Sequence, residues 1–336
     1  MAADPPASAE KDFSMPAAPT VSVVIATHER PAALERLLLE IKEQSLTDFE
    51  VIVADDNSSE QVREGYAALW ARLDARFKLH FVPPGISRKS PGVTRNYGVE
   101  QASGQFIAFC DDDDRWIRPD HLQTAVTAMR SQDADLFLAN MQTSVGGERL
   151  NPDYYERSWR HLKRHGRGIA GAGDLFVVDR DMFAGFFWGR TPHVNTLVMT
   201  RALFDAAGPF WRQIVFAEDH DWMFRVFDRA RKSLFRSTVV ADLDVGEHAS
   251  VARAFEQDER RLFSILACFH AATLISHPAL RRRLRCDRAG RLLEIARSQM
   301  AQGRIACARE FAAESLRTQP SRSALALALR LLLMRA

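Results

Sequence analysis

The chain is poor in the features that would settle its class at once. It has four cysteines in 336 residues, Cys110, Cys268, Cys286 and Cys307. They lie far apart, with no C-x-x-C pair and no metal-type spacing, which argues against a disulfide framework or a zinc module and reads as reduced thiols in a cytoplasmic protein. No apolar run reaches the length that spans a bilayer; the longest candidate, Ala324 to Met334, is short and carries Arg330. Residues 1–20 are rich in Ala, Pro and Ser, include acids and lack an apolar core, so they read as a disordered leader rather than a signal peptide or anchor. Net charge is only +2, which removes a global nucleic-acid signature. The glycine-rich turn of a dinucleotide-binding dehydrogenase is missing after the first strand, where Thr27-His28-Glu29-Arg30 stands instead.

What is present is a globular composition, 46% hydrophobic and 26% charged, long enough for one large domain and a smaller one. The near-zero charge hides an asymmetry. Residues 251–336 hold 16 Arg and no Lys against 7 acids, so the first 250 residues are acidic by about the same margin. That shift marks a boundary near 250.

Short β-branched or apolar runs predict strands at Val21–Ala26, Phe49–Ala54, Phe77–Val82 and Gln105–Cys110. Between them, helical spacing predicts helices opening at Pro31, over Gln61–Leu73 and over Val93–Ala102. This alternation predicts a βαβ sheet with parallel strands, whose ligands sit at the carboxyl ends of the strands. A further helix is expected from Pro119 and a strand over Asp135–Asn140. Residues 142–173, rich in Gly, Arg, Trp and Tyr, read as an insertion or flexible lid beside the site. Strand character returns at Val194–Thr200 and Ser233–Val245, with helices at Arg201–Ala206 and Glu218–Ala230. Beyond Val251 the pattern is wholly helical, with breaks at Pro278, near Gly303 and at Pro320.

Three polar clusters fall together at strand ends: Thr27–Arg30, Asp55–Ser58 and Asp111–Asp114. Four adjacent aspartates repel one another, and at a strand end such carboxylates suit magnesium or manganese bridging to phosphates. Asp56 is either a helix cap or an acceptor for a ribose or base edge. Arg95, opening a helix, is a candidate contact to a phosphate or base. Glu218-Asp219-His220-Asp221-Trp222 packs three acids, a His and an aromatic into five residues, the makings of a general base beside a stacking ring.

In this order these segments resemble the family 2 glycosyltransferases, over roughly residues 20–250. Val21–Pro31 resembles the family's opening strand and turn, and Phe49–Ser58 its second strand. Gly92-Val93-Thr94-Arg95-Asn96-Tyr97-Gly98 resembles its A-R-N-x-G segment, and Phe106–Trp116 its D-x-D metal motif. Glu218–Trp222 resembles its acceptor motif. The resemblance implies a GT-A type, Rossmann-like mixed sheet flanked by helices over 21–250, followed by an all-helical extension over 251–336. It implies inverting transfer from a nucleotide-diphosphate sugar, a uridine one by family habit, to a hydroxyl of a glycan, lipid-linked or other small acceptor.

The roles implied are these. Asp219 is the base, with Glu218 beside it. Thr27, Glu29, Arg30, Asp56, Arg95, Asp111 and Asp112 hold the donor. Asp113, Asp111 and His248 hold Mn²⁺ or Mg²⁺. Trp222, His193 and Asn195 line the acceptor site. In the helical extension, Leu292, Ile295, Ala296, Gly303, Ala308 and Pro320 fall at the spacing of a single tetratricopeptide-like hairpin. Arg281–Arg283 with Arg285, and Ala324–Met334, would suit peripheral contact with the inner face of a membrane; a solvated basic face or self-association suits them as well. Polysaccharide biosynthesis without nucleic acid is the expected setting. A nucleotidyltransferase is disfavoured by the Glu218–Trp222 motif. A non-catalytic sugar-nucleotide or carbohydrate-binding module with a helical interaction tail is the alternative.

Overall fold

The computed structural model describes residues 18–86, 90–186, 192–246 and 254–334. The expected metal ligand His248 lies outside them. The first half alternates strand and helix: β1 (Val21–Thr27), α1 (Pro31–Lys42), β2 (Phe49–Asp55), α2 (Glu60–Trp70), β3 (Phe77–Phe81), α3 (Pro91–Gln101), β4 (Phe106–Asp111), β5 (Arg115–Trp116), α4 (His121–Gln132) and β6 (Leu136–Val145). There follow β7 (Glu148–Asn151), α5 (Glu156–Arg164), β8 (Gly168–Ile169), β9 (Ala172–Val178) and α6 (Arg180–Phe186). The sheet then closes through β10 (Leu197–Thr200), α7 (Arg201–Ala207), α8 (Glu218–Arg229) and β11 (Ser233–Asp244).

The strands form one mixed sheet in the order β3-β2-β1-β4-β10-β6-β11-β9-β8, with β5 added to β11 and β7 to β6. The central strands are apolar on both faces because helices cover both: Val23, Val24 and Ile25 of β1 and Val51, Ile52 and Val53 of β2 are wholly buried. Each such side chain contributes roughly 1.5–3 kcal/mol. On α1, Leu34, Leu37, Leu38 and Ile41 are buried, the i, i+3, i+4, i+7 stripe of a core-facing helix. β1 runs parallel to β2 and to β4, with Thr27 opposite Asp55 and Ala26 opposite Asp111. That register brings the three polar clusters to one edge of the sheet.

Residues 142–173 differ from the expected lid. They continue β6, form β7, α5 and β8, and enter β9, on the far side of the sheet from β1. Trp159 packs against the core and donates its indole N–H to Asp153. None of these residues lines the central cavity.

Four helices complete the chain: α9 (Gln257–Leu274), α10 (Pro278–Ala301), α11 (Ile305–Thr318) and α12 (Arg322–Leu333). Their breaks fall where Pro278, Gly303 and Pro320 predict them, Gly303 with φ +77°. The core of the sheet continues past residue 250: Cys268, Ala271, Ile275, Leu280 and Leu284 belong to it. A second apolar cluster, around Ala296, Ala308, Ala312 and Leu331, joins the rest of α10 to α11 and α12. Among the described residues no helix is long and apolar enough to cross a membrane.

Candidate active site

A cavity of about 1020 Å³ opens over the carboxyl ends of β1, β2 and β4. Thr27, Arg30, Asp56, Arg95, Asp111, Asp112, Asp113, His193, Glu218 and Asp219 all line it. Six segments far apart in sequence therefore meet in one space.

Local packing explains how α3 comes so close. A Cβ on Gly98 would lie 2.6 Å from Val24 Cγ1, so α3 seats directly on β1. A Cβ on Gly92 would lie 2.7 Å from Glu218 Cγ, so the start of α3 abuts the start of α8. Arg95, one turn on, is buried and ion-pairs at both ends. Its Nη1 donates to Glu218 Oε1 at 3.0 Å and its Nη2 to Asp111 Oδ1. Arg95 thus bridges the aspartate run and the acceptor motif. Its cation is favoured beyond the ordinary range: burial works against the charge, and Asp111 and Glu218 outweigh it.

The four aspartates occupy four different environments. Burial would raise Asp111, but Arg95 and then His193 hold it below the usual carboxylate range. Asp112 accepts from Thr27 Oγ1 at 2.7 Å and from Arg30 Nη1 at 2.8 Å. Burial nonetheless pushes its carboxyl up to about 6, against the pull of Arg30. Asp113 pairs with the same guanidinium at 2.6 Å. Asp114 is fully buried and accepts from Asn195 Nδ2 at 2.6 Å. Burial, then Asp111, raises it well above the carboxylate range. One cation, Arg30, thus serves two neighbouring carboxylates, and the run is tolerated because its charges are dispersed.

Asp111, Asp114 and His193 each offer a ligand atom, all within 4.8 Å of one another. Asp114 Oδ1 and His193 Nδ1 are buried atoms without a hydrogen-bond partner. Oxygen ligands with one imidazole suit manganese or magnesium, so the donor set fits a divalent cation. Asp113, the expected direct ligand, is engaged by Arg30 in this arrangement, and Asp114 and His193 enter the donor set beside Asp111.

At the other side, α8 begins at Glu218 after Ala217, which sits in the left-handed region at φ +62°. For a residue with a Cβ that conformation costs on the order of 1 kcal/mol and is held by its surroundings. Burial, then Asp219, pushes the Glu218 carboxyl up to about 7 against Arg95. Asp219 is partly exposed in the cavity, and its Oδ1 accepts from His220 N at 2.7 Å. Asp221 is fully buried; it accepts from Arg225 at 2.9 Å and pairs with His270 Nδ1 of α9 at 2.6 Å. Trp211 stacks on the His270 ring at 4.0 Å.

Three expected site residues are placed elsewhere. Trp222 is 0% exposed, stacked on Phe210 and donating to Gly208 O, packed in the core beside Phe109 and Phe204. Asn195 is likewise wholly buried and supports Asp114 rather than facing an acceptor. Glu29 bonds Ser59 at the start of α2 and does not line the cavity. Conversely, the cavity wall includes Phe216, Asp287 and Glu294, which no sequence motif marked, and Arg283, expected on a membrane-facing or solvated surface; Arg283, Asp287 and Glu294 belong to α10. Their spacing of four and seven along α10 puts them on one helix face, a signal masked because arginines occur all round that helix.

Residues 22–188 match the Glycosyl transferase family 2 model. The putative glycosyltransferase EpsH of Bacillus subtilis is 26% identical over 223 residues, 66% of this chain and 59% of EpsH. The GalNAc(5)-diNAcBac-PP-undecaprenol beta-1,3-glucosyltransferase of Campylobacter jejuni is 38% identical over 96 residues, 29% of this chain and 30% of the relative. The chain thus spans less than two thirds of either curated relative. Among solved structures, S. aureus TarS 1–349 in complex with UDP-GlcNAc superposes with a TM-score of 0.65 at 17% identity, covering 93% of this chain and 89% of that one, which shows the fold to be GT-A. With its mixed sheet, strand-end acids and matching family model, the segment of residues 22–188 belongs to glycosyl transferase family 2.

Proposed function

We propose that the chain transfers a sugar, with inversion, from a nucleoside-diphosphate sugar to a hydroxyl of a glycan or lipid-linked acceptor. The observation that carries this reading is the single cavity shared by Asp56, Asp111–Asp113 and Asp219. The likeness to a fold that holds UDP-GlcNAc and to a relative named for an undecaprenol-linked acceptor supports a uridine donor and such acceptors.

In this reading Asp56, at the end of β2, accepts from the nucleobase edge. Thr27 and Arg30 set the Asp112 and Asp113 carboxylates facing the donor phosphates. A divalent cation, held by Asp111, Asp114 and His193 beside Asp113, would supply charge neutralisation for the departing diphosphate. Asp219 takes the proton from the acceptor hydroxyl as that oxygen attacks the anomeric carbon from the face opposite the diphosphate. Arg95 keeps the two halves in register, since it holds Asp111 and Glu218 at once. Such positioned general-base help is worth about 10²–10⁴ in rate.

The test is calorimetric binding of UDP, GDP and dTDP with manganese or with EDTA, on wild type and Asp113→Ala, beside transfer assays on Asp219→Asn. One nucleotide binds, and binding weakens with EDTA and in Asp113→Ala. Asp219→Asn keeps that binding and loses transfer by about 10²-fold or more. Binding indifferent to metal, or transfer surviving in Asp219→Asn, refutes the respective role.

A further inference from the structure

The cavity does not end at Asp219. It continues into a chamber whose far wall is α10, with Ser264 and Cys268 of α9 beside it. On α10 the residues at 283, 287, 290, 291 and 294 line this space, a stripe at helical spacing that adjoins the buried Leu280 and Leu284.

The chemistry of that stripe is internally balanced. Arg283 Nε donates to both oxygens of Asp287 at 2.9 Å, and its Nη1 to Ala184 O at 3.2 Å. Arg291 Nη1 donates to both oxygens of Glu294, at 3.3 and 3.1 Å, and Arg261 of α9 adds a third bond to Glu294 at 3.2 Å. Each guanidinium is therefore held against a carboxylate, and Asp219 makes the chamber negative on balance. A phosphate entering here would meet the carboxylates of Asp219, Asp287 and Glu294, and the charge of both neighbouring arginines is already offset by Asp287 and Glu294. A neutral polyol meets acceptors fixed in place by those arginines; carboxylate oxygens take more than one hydrogen bond, so they accept hydroxyl donors while still paired. Phe216 and Phe255 add apolar surface at the rim. At Gly290 a Cβ would meet nothing within 4 Å, so the middle of the wall is open.

We infer that α9 and α10 form the acceptor subsite, and that it takes a neutral, hydroxyl-rich saccharide, read by Asp287 and Glu294 and flanked by Phe216 and Phe255. The inference rests on Asp219 facing the acceptor. It makes the C-terminal helices part of the site rather than an appendage.

The experiment uses the full chain. Transfer from UDP-glucose, UDP-galactose, UDP-GlcNAc and GDP-mannose is measured to octyl glucoside, octyl galactoside and octyl N-acetylglucosaminide, and to the 6-phosphates of the same sugars and ribitol 5-phosphate. Nucleotide binding and donor hydrolysis without acceptor are followed in parallel. Transfer to at least one neutral glycoside is expected, with a kcat/KM at least tenfold above any phosphorylated acceptor. Glu294→Gln should raise the KM for that acceptor about tenfold, the loss of hydrogen bonds to a charged group. Gly290→Phe, which fills open space rather than removing a support, should raise it as much or more. Both should leave nucleotide binding within twofold. Preference for a phosphorylated acceptor, no transfer to any neutral glycoside, or an unchanged acceptor KM in both variants overturns the inference. Absence of nucleotide binding in the wild type refutes the transferase reading itself and the inference with it.

Discussion

Arg95 is the residue whose removal tests the electrostatic architecture most directly. It is 4% exposed, sits over the Phe210 ring at 5.5 Å and is shared by Asp111 and Glu218. Arg95→Met keeps much of the side-chain volume and removes the cation. Buried Glu218 is then left without its counter-charge beside half-buried Asp111, and breaking a buried pair in this way costs about 3–5 kcal/mol. Much of that cost is charge, so it depends on pH. Glu218 is held up at about 7 even with Arg95 present, and without it protonates more readily still. At pH 5.5 Glu218 is neutral in the variant and the penalty shrinks; at pH 8 it is felt in full. The assay is urea unfolding read by tryptophan fluorescence, to which the buried Trp222 contributes, at both pH values. Arg95→Met/Glu218→Gln completes a double-mutant cycle, which should show a coupling of about 1–3 kcal/mol in the direction of rescue. A loss under about 1 kcal/mol at pH 8, a loss equal at both pH values, or an additive cycle would refute the bridge.

The wild type should itself titrate. Glu218 and Asp112 are raised in the folded state, so their contribution is full below their unfolded values and is lost as pH rises toward about 7 and about 6. Glu50 is lowered to about 2 by Lys78, Ser22 and Ser103 against its burial, so its contribution is lost on the acid side. The thermal midpoint of the wild type minus that of Glu218→Gln should fall as pH rises from 5 to 8, a difference in which other titrating groups such as buried His121, held down to about 3 by burial and then Arg236, cancel; a difference constant over that range contradicts the raised carboxyl. Manganese should stabilise at pH 8 more than at pH 5.5, because ligand carboxylates must lose their protons; equal thermal shifts, or a shift kept in Asp111→Asn, would count against Asp111 as a ligand. Gly98→Ala places a methyl 2.6 Å from Val24 Cγ1 and should cost about 1–3 kcal/mol in urea unfolding, part of it restored by Val24→Ala. No cost would mean that α3 is not seated on β1 as described.

The parts of this site that were legible in the sequence are those fixed by periodicity. β1, β2 and β4 are apolar runs broken only by Ser22 and Glu50, and a parallel sheet has no other place for the polar residues that end them than one common edge. Thr27, Asp56 and Asp111 follow from that alone. What each residue does at the edge was not legible, because it depends on rotation about elements placed by tertiary packing. Trp222 is three residues from Asp219, yet its ring packs on Phe210 in the core. Arg95 faces Asp111 and Glu218 because Gly92 and Gly98 let α3 approach, and a contact across 123 residues leaves no local trace.

The basic C-terminal region shows the same limit in charge. Its sixteen arginines suggest a free positive field, yet four of its seven acids hold arginines within the helices: Asp258 holds Arg261, Asp287 holds Arg283, Glu294 holds Arg261 and Arg291, and Glu314 holds Arg288 and Arg317. Two of those acids, Asp287 and Glu294, are the ones that face the cavity. The arginine excess therefore does more than decorate a surface. It lets carboxylates stand in fixed orientation beside Asp219, where unpaired acids would repel it, and in the acceptor reading proposed above a wall built that way selects by hydroxyls rather than by charge.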